Sequence, residues 1–231
     1  MAASAPVDAG PRETAMSNLL ARVLTAAVLG AMSLAAIHVG GAVYAIFLAA
    51  LLIGLVVEWA ALLRAAGARA LPRHAGWLVW FGPAIAAAFW LREVHGAEAL
   101  VWCLAVVWAS DIAAYFVGRA LRGPKLAPRI SPGKTWSGFA GGLAAAVAAG
   151  AFGAGLIDGT AGALRLGLAA LAVAAAGVAG DLAESALKRY AGVKDSGHIL
   201  PGHGGLFDRL DSVLFALPVA ALLIGLMERP A

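Results

Sequence analysis

The sequence predicts an all-α protein, a polytopic transmembrane helix bundle of about seven membrane helices with two long cytoplasmic loops. Three observations predict this fold. Apolar residues make up 62% of the 231 residues and charged residues only 13%, a composition outside the range of soluble domains. Apolar runs of about 17–22 residues, the length that crosses a bilayer as a helix, recur along the chain. The basic residues fall mostly on one side of the resulting topology.

The apolar runs place the predicted helices at 23–39, 42–63, 75–91, 99–117, 137–157, 165–187 and 211–228. Residues 1–16 carry no pattern and predict a disordered amino-terminal tail, followed by a single transmembrane domain at 17–231. Segment 17–39 could also be a signal peptide, but no small-residue cleavage site ends it, which favours a retained helix. Cys103 is the only cysteine, so disulfides and cysteine-based metal sites are excluded.

Lysine and arginine residues predict the orientation of the bundle. Fourteen lie on the side of the amino terminus, and only Arg92, Arg165 and Arg229 lie on the other. The long basic loops at 118–136 and 188–210 are therefore predicted in the cytoplasm. Topology accounts for the net charge of +4, so no nucleic-acid partner is expected. We expect an integral protein of the inner membrane whose active face is cytoplasmic.

Acidic residues gather near the cytoplasmic ends of the predicted helices, and charge at membrane depth usually serves binding or chemistry. Six carboxylates share this depth: Glu58, Asp111, Asp181, Glu184, Asp208 and Asp211. Because carboxylates cannot neutralise one another, the cluster predicts a bound cation, and oxygen ligands favour Mg²⁺. The alternative is that these acids form structural salt bridges with Arg189, Lys194 and Arg209.

Two segments offer groups that bind phosphate. The stretch 201–205 contains three glycines with unobstructed backbone N–H groups, beside several basic residues. In the other loop, Lys134 lies between hydroxyl residues at the start of a helix, where phosphates bind readily. This segment resembles the end of a Walker A loop, but Pro128 replaces the required first glycine, which excludes a P-loop. With Mg²⁺, these features predict a nucleoside triphosphate or another polyphosphate.

These residues together resemble the phosphatidate cytidylyltransferase family, the CDP-diacylglycerol synthases. Its signature is matched by Ser185, Lys188, Arg189, Lys194, Asp195, Gly197, Pro201, His203, Gly204, Gly205, Asp208, Arg209 and Asp211. Segments 111–119 and 131–136 match two further family segments, so the resemblance spans roughly residues 17–227. Gly133 and Ser137 stand where the family usually has a lysine and an acid. The chain also looks about two helices shorter before residue 99.

The resemblance implies a function in phospholipid biosynthesis, the conversion of CTP and phosphatidate to CDP-diacylglycerol and pyrophosphate. The lipid phosphate would attack the α-phosphorus of CTP directly, assisted by Mg²⁺. The implied catalytic residues are Lys188, Arg189, Asp208 and Asp211. The implied metal ligands are Asp181 and Asp208 first, then Asp211 and Asp111. The implied substrate-binding residues are Ser131, Lys134, Thr135, Ser185, Lys194, His203, Gly204, Gly205 and Arg209. The resemblance further implies a homodimer in the lipid bilayer.

Three alternatives to this interpretation are a CDP-alcohol phosphotransferase, a membrane transporter and an inactive family member. CDP-alcohol phosphotransferases carry a D-x2-D-G-x2-A-R-x8-G-x3-D-x3-D run, which this sequence lacks. A membrane transporter would carry its charges near the bilayer midplane, whereas these acids lie towards one face. A catalytically inactive family member stays open as an alternative because of Gly133 and Ser137.

Overall fold

A computed structural model describes residue 25 and residues 27–67, 76–155, 162–197, 199–200 and 204–227. The described helices are α1 (Ala27–Val39), α2 (Gly41–Ala66), α3 (Gly76–Leu121), α4 (Trp136–Phe152), α5 (Ala163–Ala191) and α6 (Phe207–Met227). Helices α2 to α6 are long and apolar enough to cross a membrane, and α1 is apolar but shorter. The predicted helical membrane protein is therefore confirmed. The predicted tail at 1–16 lies outside the described residues.

Helix α3 is too long for a single crossing. Its 46 residues span about 69 Å at 1.5 Å per residue, roughly twice the thickness of the hydrocarbon core. Its helical geometry breaks at Gly96, where φ is 87° and ψ is 175°. The break falls between the predicted helices 75–91 and 99–117, within the charged segment that separates them.

Polar contacts beside this break join α3 to the turn between α1 and α2. The Arg92 guanidinium donates to the carbonyl of His38 at 2.9 Å, near the end of α1. The backbone N–H of Gly41 donates to the Glu93 carboxylate at 2.9 Å, at the start of α2. These charged side chains thus satisfy backbone groups that the helix ends leave unpaired.

The loop after α3 contains an element that the all-α prediction did not include. Strands β1 (Lys125–Ala127) and β2 (Ser131–Thr135) pair antiparallel, with Lys125 opposite Thr135. Thr135 also caps α4, since its hydroxyl accepts the backbone N–H of Gly138 at 3.1 Å. The hairpin therefore delivers β2 directly into the first turn of α4 and holds it beside the end of α3.

Small residues let neighbouring helices approach closely. A Cβ added at Gly138 would lie 2.6 Å from the carbonyl oxygen of Ala114, where α4 meets α3. A Cβ added at Gly180 would lie 2.5 Å from the carbonyl oxygen of Asp211, where α5 meets α6. Such contacts are typical of helix packing in membranes. The second contact places Asp181, the next residue, beside the first turns of α6.

An aromatic cluster fixes the start of α6 against α2 and α3. The ring centroids of Phe81 and Phe207 lie 5.2 Å apart, and those of Trp59 and Phe81 lie 5.8 Å apart. Both pairs meet edge to face, the geometry that aromatic quadrupoles favour. Helix α6 begins at Phe207, four residues before the predicted start at 211. The difference arises because polar residues of the first turn are stabilised by tertiary contacts, which hydropathy does not register.

Candidate active site

A cavity of about 840 Å³ lies where α3, α4 and α5 meet the β-hairpin. Two predicted metal ligands, Asp111 and Asp181, line it, together with the predicted phosphate-binding residues Lys134 and Thr135. Its basic lining residues are Arg119, Arg122, Lys125 and Lys134. The structure therefore combines four cationic side chains and two carboxylates around one cavity.

Helix α3 supplies one wall of the cavity through residues spaced four apart. Asp111, Tyr115 and Arg119 lie on one helical face by this spacing, and all three line the cavity. The Arg119 guanidinium donates to the Tyr115 hydroxyl at 3.0 Å. The sequence pattern identified Arg122 and Lys125 only as topology signals, and Arg119 also as part of a matched family segment, so their place in the cavity was missed. The spacing from Asp111 to Arg119 is the signal that could have identified Arg119.

Ser137 fastens the end of α3 to the start of α4. Its hydroxyl donates to the carbonyl of Arg122 and lies 3.1 Å from the Thr135 hydroxyl. Arg122 has a φ of 56°, a left-handed conformation that is uncommon outside glycine. A hydroxyl at position 137 therefore stabilises an unusual backbone turn that directs a cation into the cavity region.

Three of the predicted metal ligands interact with one another. Asp211 interacts electrostatically with Asp181 and with Asp111, and Asp111 also interacts with Asp181. Lys134 forms an ion pair with Asp181, and the Ser185 hydroxyl donates to the same carboxylate at 3.3 Å. Lys134 also interacts with Asp111, and Lys188 interacts with Asp211, so three neighbouring carboxylates share two lysines. We call Asp111, Asp181 and Asp211 the cavity acids, since the first two line the cavity and Asp211 interacts with both.

Asp208, the fourth predicted metal ligand, has a different environment. The Lys188 ammonium lies 2.7 Å from Asp208 and 2.7 Å from Glu184. The backbone N–H groups of Ser196 and Gly205 each donate to the Asp208 carboxylate at 3.0 Å. Its contacts thus come from α5 and from Ser196 and Gly205, which lie in the connection between α5 and α6. The contacts of Asp181 come instead from β2 and from its own helix.

The oxygen donors of the cavity acids suit a hard divalent cation such as Mg²⁺, because such cations prefer carboxylate oxygens. Within the described ranges, no three His, Cys, Asp or Glu side chains are grouped as a ready metal site. The Lys134 ammonium is the cation that contacts Asp181 in this arrangement. The cavity acids therefore fit the predicted metal in the type of donor but are not grouped around one point, and the Mg²⁺ prediction stays a prediction.

Glu58 does not belong with the cavity acids, although sequence analysis grouped it with them. Its side chain is 1% exposed. It accepts hydrogen bonds from the Ser196 hydroxyl at 2.9 Å and from the backbone N–H groups of Leu206 and Phe207 at 2.8 Å each. The expectation that Glu58 contributes to a cation-binding cluster is therefore wrong, because neutral donors already surround its oxygens.

The remaining predicted site residues flank the cavity or lie at the end of α5. Arg189 donates to the carbonyl of Ile130 at 3.4 Å, next to Ser131 at the start of β2. Lys194 and Arg209 are exposed. The ion pairs described above join Asp181, Glu184 and Asp208 to Lys134 and Lys188.

The predicted glycine loop is described in part. Gly204 has a φ of 82°, which favours glycine, and its carbonyl accepts the N–H of Leu200 at 3.1 Å. Gly205 uses its N–H for Asp208. His203 lies outside the described residues.

The fold and the site together define a polytopic helical membrane protein with a cation-lined cavity at one set of helix ends. The profile of the cytidylyltransferase family matches residues 73–227, about two thirds of the chain, and the chain belongs to this family. Family membership confirms the predicted CTP-dependent nucleotidyltransferase.

Similar proteins carry a more specific name. A phosphatidate cytidylyltransferase of Brucella suis biovar 1 (strain 1330) is 37% identical over 262 residues, covering 93% of this chain and 96% of the relative. Proteins of the same name from Bacillus subtilis (strain 168) and Pseudomonas aeruginosa are each 44% identical. The first covers 59% of this chain and 51% of the relative, and the second covers 54% and 46%.

Proposed function

We propose that this protein catalyses the reaction of CTP with phosphatidate to give CDP-diacylglycerol and pyrophosphate. The observation that carries the proposal is the cavity in which four basic side chains and two carboxylates meet at the ends of membrane-length helices. A water-soluble polyphosphate and a membrane lipid can both reach such a place. Similarity to proteins named phosphatidate cytidylyltransferase over nearly the whole chain supports the choice of lipid.

In the proposed reaction, a phosphate oxygen of phosphatidate forms a bond to the α-phosphorus of CTP. The bond between the α-phosphorus and the bridging oxygen to the β-phosphate breaks, and pyrophosphate leaves with that electron pair. No covalent enzyme intermediate is required. The protein accelerates such a step by holding two anionic groups together and by offsetting the negative charge that develops on the leaving group.

We assign these two tasks to the residues of the cavity and its border. Arg119, Arg122, Lys125 and Lys134 hold the phosphates of the two substrates. The cavity acids would hold Mg²⁺, which when bound neutralises phosphate charge and orients the triphosphate. Asp208 and Lys188 act beside them by fixing the start of α6 against α5.

We further propose seven membrane crossings, with the active site on the cytoplasmic side of the inner membrane. The break in α3 at Gly96 supports two crossings within that helix, and the apolar helix α1 supplies another. The excess of basic residues at the cavity end supports its cytoplasmic placement. In a variant lacking Cys103, Arg129→Cys should resist a membrane-impermeant maleimide in intact cells, whereas Glu98→Cys should react. The reverse labelling pattern would refute this orientation.

We also propose that the protein is a homodimer, on the strength of its family resemblance. Mass measurement of the protein in lipid nanodiscs at several protein concentrations tests this directly. A single protomer at every concentration would refute it.

The activity is tested by incubating the purified protein with phosphatidate vesicles, Mg²⁺ and CTP labelled in the cytosine ring. We expect labelled CDP-diacylglycerol in the lipid phase, and equimolar pyrophosphate. Product should disappear when phosphatidate is omitted, when ATP replaces CTP, or when a chelator of divalent cations is added. A folded protein that forms no lipid product under these conditions would show that it is a catalytically inactive family member.

A further inference from the structure

Glu58 is a buried carboxylate that reaches from α2 to a segment about 140 residues later in the chain. Its Oε1 atom accepts the N–H of Leu206, and its Oε2 atom accepts the N–H of Phe207 and the hydroxyl of Ser196. Among the described residues, no lysine or arginine forms an ion pair with it. A buried carboxylate without a cationic partner is costly unless its oxygens are saturated by donors. The three hydrogen bonds and the amino-terminal end of α6 supply that compensation.

The same segment is held from its opposite side by Asp208. The N–H of Ser196 and the N–H of Gly205 both donate to the Asp208 carboxylate. Ser196 therefore contacts both acids, through its hydroxyl to Glu58 and through its backbone to Asp208. We call residues 195–197 and 204–207 the anchor segments. The hydrogen bonds that join them to Glu58 and Asp208 we call the clamp.

The anchor segments fit between the two acids without spare space. A Cβ added at Gly197 would lie 2.7 Å from Oε1 of Glu58. A Cβ added at Gly205 would overlap the Ser196 hydroxyl and would lie 2.8 Å from Oε2 of Glu58 and 2.9 Å from the Asp208 carboxylate. Gly197 is thus required by the close approach of Glu58, and Gly205 by that of Ser196, Glu58 and Asp208.

We propose that Glu58 is a positioning residue for catalysis, which sets the start of α6 and thereby the placement of Asp208, Lys188 and Asp211. The inference rests on the proposed function for its catalytic consequence. Phe207 directly precedes Asp208, so a shift of the Phe207 amide moves the carboxylate that holds Lys188. Asp211 lies one turn further along α6, so a shift of the helix start would also move Asp211 relative to Asp111 and Asp181.

The chemistry of the clamp requires an acceptor at both oxygens of residue 58. All three groups that contact Glu58 donate hydrogen bonds to it, and both oxygens of a carboxylate can accept them. Glu58→Gln keeps the size of the side chain but sets an NH₂ group against at least one backbone N–H. We therefore expect the first turn of α6 to shift or loosen in this variant, while the bundle still assembles around its apolar contacts.

The first experiment measures hydrogen exchange by mass spectrometry on the full-length protein in nanodiscs, which needs no activity. In Glu58→Gln, peptides containing Leu206 and Phe207 should exchange faster than in wild type. The matched control is Glu93→Gln, which makes the same chemical change at a carboxylate that accepts the N–H of Gly41 at the start of α2. In the control, exchange at Leu206 and Phe207 should equal that of wild type.

The second experiment measures steady-state kinetics of the same variants. We expect Glu58→Gln to raise KM for CTP and to lower kcat. The ratio kcat/KM should fall about 10- to 100-fold, the range found when a residue that orients metal-binding side chains through hydrogen bonds is replaced. A partial loss of folded protein would lower only the apparent kcat, so the change in KM identifies positioning. Ser196→Ala removes one of the three donors and should give a smaller change in the same direction. Combined with Glu58→Gln, its effect should not add, because both act on one clamp.

The outcomes separate this inference from the proposed function. An inactive wild type with faster exchange in Glu58→Gln would refute the phosphatidate reaction and leave the clamp intact. An active wild type with unchanged KM for CTP in both Glu58→Gln and Ser196→Ala would overturn the positioning role, whatever their thermal stability. Unchanged exchange at Leu206 and Phe207 would overturn the clamp itself. If Glu58→Gln does not fold, Ser196→Ala alone decides between these results.

Discussion

Two groups of acids near the same helix ends differ in what surrounds them. Glu58 and Asp208 are enclosed by N–H, O–H or ammonium donors from the end of α5, the start of α6 and the connection between them. The cavity acids instead interact with one another, and Lys134 is the cation paired with Asp181. Carboxylates that are already saturated serve the scaffold, whereas carboxylates that repel one another have binding capacity left for a ligand.

This difference has an energetic basis. A buried carboxylate is tolerated only when its oxygens are paired, and removing one partner of a buried pair costs several kcal/mol. The cavity acids repel one another and have fewer donors around them, so a bound cation would stabilise them. Substitutions in the first group should therefore change stability and geometry, while those in the second should change activity alone.

The largest effect is expected at a cavity acid. Asp181→Asn should reduce turnover of CTP and phosphatidate by about 10²- to 10³-fold, because it removes charge that is proposed to hold the metal at the triphosphate. Its thermal unfolding temperature in detergent should stay at the wild-type value. The exposed Glu98→Gln, at the break in α3, is the control and should retain wild-type turnover. Near-normal turnover in Asp181→Asn would refute the proposal that the cavity acids act in ligand binding.

Asp208→Asn should lose most activity and also lose stability. The substitution breaks the contact with Lys188 and sets an amide NH₂ group against the N–H groups of Ser196 and Gly205. We expect a free energy of unfolding lower by about 1–3 kcal/mol, the cost of leaving hydrogen-bond donors without their acceptor in a partly buried site. Thermal unfolding beside the activity assay measures both quantities. An unchanged unfolding temperature with lost activity would move Asp208 into the group of ligand-binding acids.

A smaller effect is expected at the cationic wall. Arg119→Ala should raise the KM for CTP or phosphatidate about tenfold, the amount associated with one hydrogen bond to a charged group. Arg129→Ala, an exposed arginine of the same hairpin region outside the cavity lining, is the control and should leave both constants unchanged. Equal effects of the two substitutions would indicate that only the overall charge of this surface matters.

The smallest effect is expected at Gly133, which lines the cavity. A Cβ added there meets no atom within 4 Å, so a lysine side chain can be accommodated without displacing a neighbour. Gly133→Lys should leave kcat/KM equal to wild type or higher, because it adds a cation to a wall that binds phosphate. Kinetics over a range of CTP concentrations measures this. A large loss of kcat/KM would show that a lysine at position 133 interferes with substrate binding in this cavity.

Much of the fold and part of the site could be predicted from the sequence. The order of the apolar helices and the division near 92–98 follow from hydropathy, which reports the cost of placing each segment in lipid. The placement of Asp181 near Asp211 agrees with the predicted gathering of acids near one set of helix ends. The β-hairpin and Arg122 could not be assigned from the sequence, because their places depend on α3 meeting the segment that leads into α4.

The sequence by itself determined that this chain is a helical membrane protein of the cytidylyltransferase family, since apolar length and a specific run of charged and glycine residues are local properties. Only the tertiary structure decided which acids belong to the scaffold and which face the cavity. The physical reason is that saturation of a carboxylate depends on the donors around it. The donors to Glu58 come from Ser196, Leu206 and Phe207, more than a hundred residues away in the chain.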